Sequence, residues 1–338
     1  MKSILVTGGA GFIGANFVGM LLSERKDLKV VNLDALTYAG NLENLSGRME
    51  NRNHVFVHGD IRSRELVEKI IKEHKIDGII NFAAESHVDR SISSPGIFIE
   101  TNVSGTLNLL QCAKEIGVKR FLQVSTDEVY GSLAPDEEKF SEHTSIKPNS
   151  PYSASKAAAD HLVRAFNHTY HLDTVITRCS NNYGPYQFPE KMIPLCINNI
   201  RNDKQIPVYG DGMQIRDWLY VYDHCAAILQ VFEKGKNGEV YNIGGNNEKT
   251  NLDLVKTLLK LLKKDESLIK FVKDRPGHDR RYAIDNSKIT KSLGWKPSVT
   301  FEQGIAKTVD WYLANQKWLD HVTSGEYQKY YEKEYRNR

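Results

Sequence analysis

The chain has no apolar run near the roughly 20 residues that a membrane-spanning helix needs, so nothing in it marks a membrane protein. Cysteine is scarce. Cys112, Cys179, Cys196 and Cys225 lie far apart and form no Cys-x-x-Cys pair. That pattern argues against a disulfide framework or a zinc site, and no metal is expected; it fits reduced core thiols in a cytosol. An excess of charge of one sign is also missing. Lys and Arg total 45 against 42 Asp and Glu, a formal charge of +3, and the basic residues are scattered. A nucleic-acid partner calls for a concentrated basic face, so none is expected. The N-terminus runs directly into an apolar stretch at Ser3–Thr7 without the pattern of a secretory leader, and the expected compartment is the cytoplasm. No internal repeat or low-complexity segment stands out. What remains is the composition of a soluble globular protein, with 338 residues, 40% hydrophobic and 26% charged. That length accommodates two lobes, or one α/β domain with an insertion.

The stretch Ser125-Thr126-Asp127-Glu128-Val129-Tyr130 organises the rest. It follows the apolar run Phe121-Leu122-Gln123-Val124, which reads as a buried strand. It therefore sits where a parallel strand empties into a loop. Adjacent buried carboxylates resist joint ionisation. With one protonated and the other ionised, Asp127 and Glu128 form a general acid beside a general base. The plainer alternative is that they cap a helix or solvate a loop. Farther on, Tyr152 and Lys156 are four apart on a predicted helix and share a face. Beside a nicotinamide such a pair is a redox device.

Ile4-Leu5-Val6-Thr7 is followed by Gly8-Gly9-Ala10-Gly11-Phe12-Ile13-Gly14 and by a periodic helix holding Phe17, Val18, Leu21 and Leu22. Strand, glycine turn and helix come in the order that a dinucleotide site requires. Gly8 permits the tight turn, Gly11 lets the backbone approach a pyrophosphate, and Gly14 lets helix and strand pack closely. The helix N-terminus then faces the phosphates. A second strand over 29–33 ends at Asp34, whose carboxylate can accept from both ribose hydroxyls of NAD and would repel a 2′-phosphate. A third strand ends in Gly59-Asp60-Ile61. Asp60 is a candidate for the adenine amino group and Ile61 for the ring, unless the two form only a turn and a core contact. Ile79-Ile80-Asn81-Phe82 runs into Ala83-Ala84-Glu85-Ser86-His87-Val88-Asp89. Small Ala83 and Ala84 let this loop approach the cofactor, and Ser86 is a candidate for substrate. His87 and Asp89 read as loop-fixing groups ahead of any direct catalytic use.

A long helix is predicted over about 97–116, then the strand to Thr126, then a helix from about Tyr152 to His171 with Pro148 and Pro151 ahead of it. A sixth strand follows at 173–178. Six strands alternating with helices imply an α/β, Rossmann-type, doubly wound parallel sheet. Beyond Arg178 the alternation fades. Residues 181–191 read as a turn-rich loop of the kind that lines a site, and 275–281 as a basic loop. The tail from Gln316 is charged and tyrosine-rich and reads as a surface cap. The expected division is a NAD-binding domain over 1–180 and a smaller, partly interleaved substrate domain over 181–338. A strand near 239–243 is expected to return to the sheet.

Taken together, Thr7–Gly14, Thr126-Asp127-Glu128 and Tyr152-Ser153-Ala154-Ser155-Lys156 resemble the extended short-chain dehydrogenase/reductase family. Three stretches narrow the resemblance to its nucleotide-sugar dehydratases. They are Thr126-Asp127-Glu128-Val129-Tyr130-Gly131, the run from Asn181 to Lys191, and Arg275-Pro276-Gly277-His278-Asp279. Sugar-nucleotide epimerases of the family lack the Asp-Glu pair. The resemblance implies tightly bound NAD, dTDP-glucose as substrate, and loss of water with C4 oxidised and C6 reduced. It implies Tyr152 as the base at the C4 hydroxyl, its phenolate favoured by Lys156 and the nicotinamide charge. Thr126 then orients the C4 oxygen, Glu128 takes the C5 proton and Asp127 protonates the departing C6 oxygen. Further implied cofactor contacts are Phe12, Ile13, Leu36, Thr37, Thr101 and Asn182, with Lys156 on the ribose. Arg216 and Arg275 are candidates for the substrate pyrophosphate through bidentate geometry. Asn181, Glu190, Lys191, Asn251 and His278 are candidates for sugar, phosphates or base, with His87, Pro207 and Tyr209 beside them. A homodimer is implied, with the helices at 97–116 and 152–171 pairing across a two-fold axis. Two rivals stand: a 4-epimerase, and a Rossmann protein that only senses NAD(H). The choice among dTDP, UDP and CDP stays open.

Overall fold

Ile4 and Val6 face one apolar layer and Leu5 the other, because successive strand residues point to opposite faces. A strand covered on both sides is apolar at every position, which is why this run shows no alternation. The structure, a computed structural model, describes residues 1–274 and 277–325. Its strands are β1 (Ser3–Thr7), β2 (Lys29–Asp34), β3 (His54–His58), β4 (Gly78–Asn81), β5 (Arg120–Thr126), β6 (Thr174–Cys179), β7 (Asn181–Tyr183), β8 (Ile206–Tyr209), β9 (Ile215–Tyr220), β10 (Val240–Ile243), β11 (Glu248–Thr250) and β12 (Ile269–Val272). Seven form one sheet in the order β10-β6-β5-β4-β1-β2-β3, and every pair in it is parallel. The winding reverses between β1 and β4. In such sheets the carboxyl ends of the strands open a crevice at that reversal.

Helices cover both faces. Phe12–Glu24 and Val221–Lys234 place Phe17, Leu21, Ile228 and Phe232 in one layer. Arg64–His74, Thr106–Ile116 and Pro151–Tyr170 place Val67, Leu109 and Val163 in the other. A third core lies around Tyr183, Ile197, Leu258, Phe301 and Tyr312. Beside that core lie two small sheets, β11-β9-β7 and β12-β8.

Four expectations need correction. The helix over 97–116 is not uniform: Pro95–Phe98 is α-helical, Ile99–Gly105 is π-helical, and Thr106–Ile116 resumes the α-helix. Within the widened turn Asn102 is buried. It accepts from the Glu85 N–H at 2.9 Å and donates to the Glu85 carbonyl at 2.9 Å and to Ser155 Oγ at 2.8 Å. Such turns are rare, often sit at functional sites and leave no periodic signal. Pro151 lies inside its helix, in the first turn, where its missing N–H would be unpaired anyway. The stretch from Asn181 begins as β7 and pairs with β9. Finally, the tail from Gln316 starts as the helix Gln316–Val322, which buries Trp318 and Leu319. Trp318 Nε1 donates to Asn44 Oδ1 at 2.8 Å, so this part is a packed element and not a surface cap.

Candidate active site

β5 delivers the central constellation. Its last residue, Thr126, caps the short 3-10 turn Asp127–Tyr130, with Oγ1 accepting from the Glu128 N–H at 3.3 Å. The cap reading of this stretch is thus partly right, but the cap is Thr126 and not either carboxylate. From the other side comes the helix Pro151–Tyr170, started by Ser150 and Ser153 in a reciprocal capping box. Tyr152 and Lys156 lie one turn apart on it. Lys156 Nζ donates to the Val124 carbonyl at 2.7 Å, which ties the helix to β5, and the Thr126 side chain favours the ionised form of the Tyr152 phenol.

Burial dominates the electrostatics. The Asp127 carboxyl is driven well above the usual carboxylate range by burial, then by Glu128 and Asp217. Its Oδ2 has no hydrogen-bond partner among the described residues, and its burial favours the protonated acid, against Arg216 and Thr126. Glu128 is half-buried. The Tyr152 phenol is held well above its ordinary value by burial, Glu128, Cys179 and Asp127. Burial pulls Lys156 down, against the nearby Asp160. In the protein by itself Tyr152 is therefore a neutral phenol. Ionising it requires positive charge beyond what the chain places there.

A cavity of ≈ 330 Å³ runs from the glycine turn to Tyr152 and Lys156. Gly8, Gly11, Phe12, Ile13 and Gly14 line one end with Asp34, Thr37, Asp60 and Ile61. Ala83, Ala84, Ser86, Thr101, Thr126, Asp127 and Asn182 line the middle and far end. Leu36 does not line it. Its side chain packs against the apolar layer, and its N–H instead donates to Asp34 Oδ1 at 2.8 Å. Asp34 also accepts from the Ala10 N–H at 2.8 Å. Asp60 is gripped by Arg62, Nη2 to Oδ2 at 2.7 Å, so an adenine amino group would share that carboxylate with a cation. Gly8 has φ +71°, and a Cβ there would stand 2.7 Å from the Ala83 nitrogen. No side chain caps the helix that starts at Phe12, so its first N–H groups face the cavity without a side-chain partner. A closely approached turn and an uncapped helix start suit a pyrophosphate, and the glycine turn fits a dinucleotide.

A second cavity of ≈ 170 Å³ shares Glu128, Asn181, Glu190 and Lys191 with the first. His87, Pro207, Tyr209, Arg216, Asn251 and His278 complete the part of it that the sequence pointed to. Arg216 donates to the carbonyls of Ile215 at 2.7 Å and Asp279 at 2.9 Å and lies over the Tyr282 ring at 4.4 Å. His87 caps the helix Val88–Ser93 and has Nε2 4.0 Å from Glu190 Oε2. Lys191 Nζ donates to the Ser86 carbonyl at 2.9 Å. Arg275 lies outside the described residues.

Sequence reasoning missed Tyr38, Arg62, Cys179 and Tyr282. Arg62 and Cys179 line the first cavity and Tyr282 the second. Arg62 stands two residues past Asp60 and its charge was a usable signal. Nothing in the local pattern of the others sets them apart.

The sequence profile of the GDP-mannose 4,6 dehydratase family matches residues 5–308. A dTDP-glucose 4,6-dehydratase of Xanthomonas campestris pv. campestris is 56% identical over 97% of this chain and 97% of its own length. The crystal structure of dTDP-glucose 4,6-dehydratase from Bacillus anthracis in complex with NAD superposes with a TM-score of 0.90 at 50% identity, covering 95% of this chain and 100% of that one. The enzyme of the same name from Streptomyces venezuelae, also with NAD bound, gives a TM-score of 0.92 at 49% identity over the same shares, 95% and 100%. With the profile spanning most of its length and such relatives matching it end to end, this chain belongs to the nucleotide-sugar 4,6-dehydratase family of extended short-chain dehydrogenases/reductases.

Proposed function

We propose that the chain dehydrates dTDP-glucose to dTDP-4-keto-6-deoxyglucose with tightly bound NAD, as a step in deoxysugar nucleotide biosynthesis. The observation that carries this reading is the meeting of two cavities at Glu128, with the buried Asp127 and the Tyr152/Lys156 helix turn against it. Gly8, Gly11, Gly14 and Asp34 hold the dinucleotide, and Lys156 its nicotinamide ribose. Bound NAD supplies a reversible acceptor that takes hydride from C4 and returns it to C6, and its nicotinamide charge favours the Tyr152 phenolate. Tyr152 accepts the C4 hydroxyl proton while Thr126 holds that oxygen. The new C4 ketone makes the C5 hydrogen acidic. Glu128 removes it, and Asp127 gives its proton to the C6 oxygen, which leaves as water. Glu128 returns a proton to C5. C4 is oxidised and C6 reduced, and the proton that Tyr152 gained replaces through solvent the one that Asp127 gave, so nothing is consumed besides the sugar.

Arg216, Asn251 and His278 take the nucleotide in the second cavity, and Asn181, Glu190 and Lys191 the hexose at the junction. A 4-epimerase would leave Asp127 and Glu128 without a task, and an NAD(H) sensor would have no use for the second cavity. Incubation with dTDP-, UDP- and CDP-glucose tests the reading: a 4-keto product is expected from dTDP-glucose above the others, and its absence from all three would refute the assignment.

We read residues 1–180 as the cofactor domain and 181–338 as the substrate domain, interleaved because β10 stands in the main sheet. We also assign a cytoplasmic homodimer. Ile92 and Ile99, 46% and 50% exposed, lie at the start of the helical run that packs on Pro151–Tyr170, which favours burial against a second copy. Sedimentation showing only monomer at micromolar concentration would exclude the dimer.

A further inference from the structure

Residues 35–41 leave β2 and form part of the cofactor cavity wall through Thr37, Ala39 and Gly40. The segment is pinned at its start by the two N–H groups that Asp34 accepts, and Leu36 holds a positive φ of 49°. A Cβ on Gly40 would stand 2.8 Å from Asp34 Oδ1, so the segment folds back closely on the same carboxylate. From it Tyr38 reaches across to the junction of the two cavities, where its hydroxyl donates to Glu190 Oε1 at 3.0 Å. The Arg90 guanidinium lies over the Tyr38 ring at 3.7 Å, with its Nε 3.9 Å from Glu190 Oε2. Phe188 meets the ring edge-on at 5.8 Å.

We propose that Tyr38 is a positioning residue, a latch that ties the cofactor-side segment to Glu190 and holds that carboxylate ready for the hexose. The latch rests on the proposed function, which puts NAD in the first cavity and the sugar against Glu190. NAD shares its cavity with a segment anchored across the molecule, so its release requires that contact to open. That suits a cofactor regenerated in each turnover. The hydroxyl also favours the ionised carboxylate, the form that accepts from sugar hydroxyls. Burial, opposed by Lys191, Arg90 and the Tyr38 hydroxyl and aided by Glu85, leaves Glu190 pushed up to about 7. His87 faces it as well. Tyr38, driven well above its ordinary value by burial and Glu190, remains a donor throughout.

Tyr38→Phe keeps the ring between Arg90 and Phe188 and removes the hydroxyl. The test measures NAD retained per chain during repeated gel filtration, and the KM for dTDP-glucose against pH, in wild type and variant. NAD should be lost about tenfold faster in the variant, the effect of one hydrogen bond to a charged group. The pH below which KM rises should move upward, because a Glu190 without its donor is more easily protonated. A purely structural role would raise KM equally at every pH. Glu190→Gln provides the second arm, since its amide oxygen still accepts from Tyr38. It should lose NAD more slowly than Tyr38→Phe, because a neutral hydrogen bond remains, and lose the pH dependence of KM near neutrality. Unchanged NAD retention in Tyr38→Phe, an unmoved KM midpoint, or a Glu190→Gln protein that keeps the midpoint would each overturn the latch. A wild-type protein that carries no NAD and leaves dTDP-glucose unchanged would overturn the functional reading together with the latch, whereas failure of the variants alone overturns only the latch.

Discussion

The two cavities are shaped by opposite means. The cofactor cavity owes its form at one end to side chains that are missing. A Cβ on Gly14 would stand 2.2 Å from the Gly8 carbonyl oxygen, and one on Gly8 2.7 Å from the Ala83 nitrogen. Its central motif is a single turn of contiguous residues. The second cavity owes its form to long side chains. His87, Glu190, Tyr209, Arg216, Asn251 and His278 come from separate segments of the chain. A site made of close backbone approach is written in spacing and fails when atoms are added. A site made of converging side chains is written nowhere locally and fails when atoms are removed.

Gly14→Ala should break the first kind of site most completely. The added carbon meets the Gly8–Gly9 backbone, which cannot swing away as a side chain would, and overpacking of this kind costs about 1–3 kcal/mol. The protein is expected to purify without NAD and to melt at a lower temperature, as measured by cofactor release on denaturation and by calorimetry. Wild-type NAD content would show that the cradle yields.

Next in size is the junction. The Asp127→Asn, Glu128→Gln double variant is near-isosteric, so circular dichroism should be unchanged while dehydration falls by about 10²–10⁴-fold. Tyr152, Lys156 and Thr126 remain, so C4 oxidation should proceed and leave a 4-keto hexose that keeps its C6 hydroxyl. In deuterated water, exchange at C5 should fall most in Glu128→Gln alone. Formation of 6-deoxy product at close to the normal rate would move the acid and base elsewhere.

Arg216→Lys separates the two cavities. Lysine cannot reproduce both carbonyl contacts and the stacking on Tyr282. The KM for dTDP-glucose should rise about tenfold with bound NAD unchanged. Loss of NAD in this variant would show that the cavities are not independent.

Asp34→Ala is the mildest of the set, because the turn it supports keeps its backbone hydrogen bonds, such as Gly8 N–H to the Leu33 carbonyl at 2.9 Å. NAD retention should weaken and the preference for NAD over NADP should narrow by roughly tenfold, read by competition dialysis. Equal affinities in the unmodified protein would remove Asp34 from cofactor selection.

How far the site could be read beforehand follows the same division. The glycine turn, the carboxylate pair after β5 and the Tyr152/Lys156 helix turn were all legible, because each lies within one element or one element boundary. A strand dictates where its last residue opens, and a helix puts residues four apart on one face. The nucleotide-side residues were legible only through resemblance, and Leu36 was misplaced because chain proximity does not say which way a side chain turns. Tyr38 was missed for the complementary reason: its partner Glu190 is 152 residues away.

The sequence by itself determined the alternation of strands and helices, the glycine turn that shapes one end of the cofactor cavity, and the adjacency of Asp127 and Glu128. These depend on local sterics, hydrophobic period and hydrogen bonding within a few residues. Only the tertiary structure decided that Asp127 is pushed toward its acid form, since that follows from burial, then from the neighbouring Glu128 and from Asp217 brought beside it. It also decided the π-turn around Asn102, the packing of Trp318 against Asn44 across 274 residues, and the meeting of the two cavities at Glu128. Each of these depends on which distant surfaces come together. That is settled by the packing of whole elements, of which no short stretch of sequence carries a record.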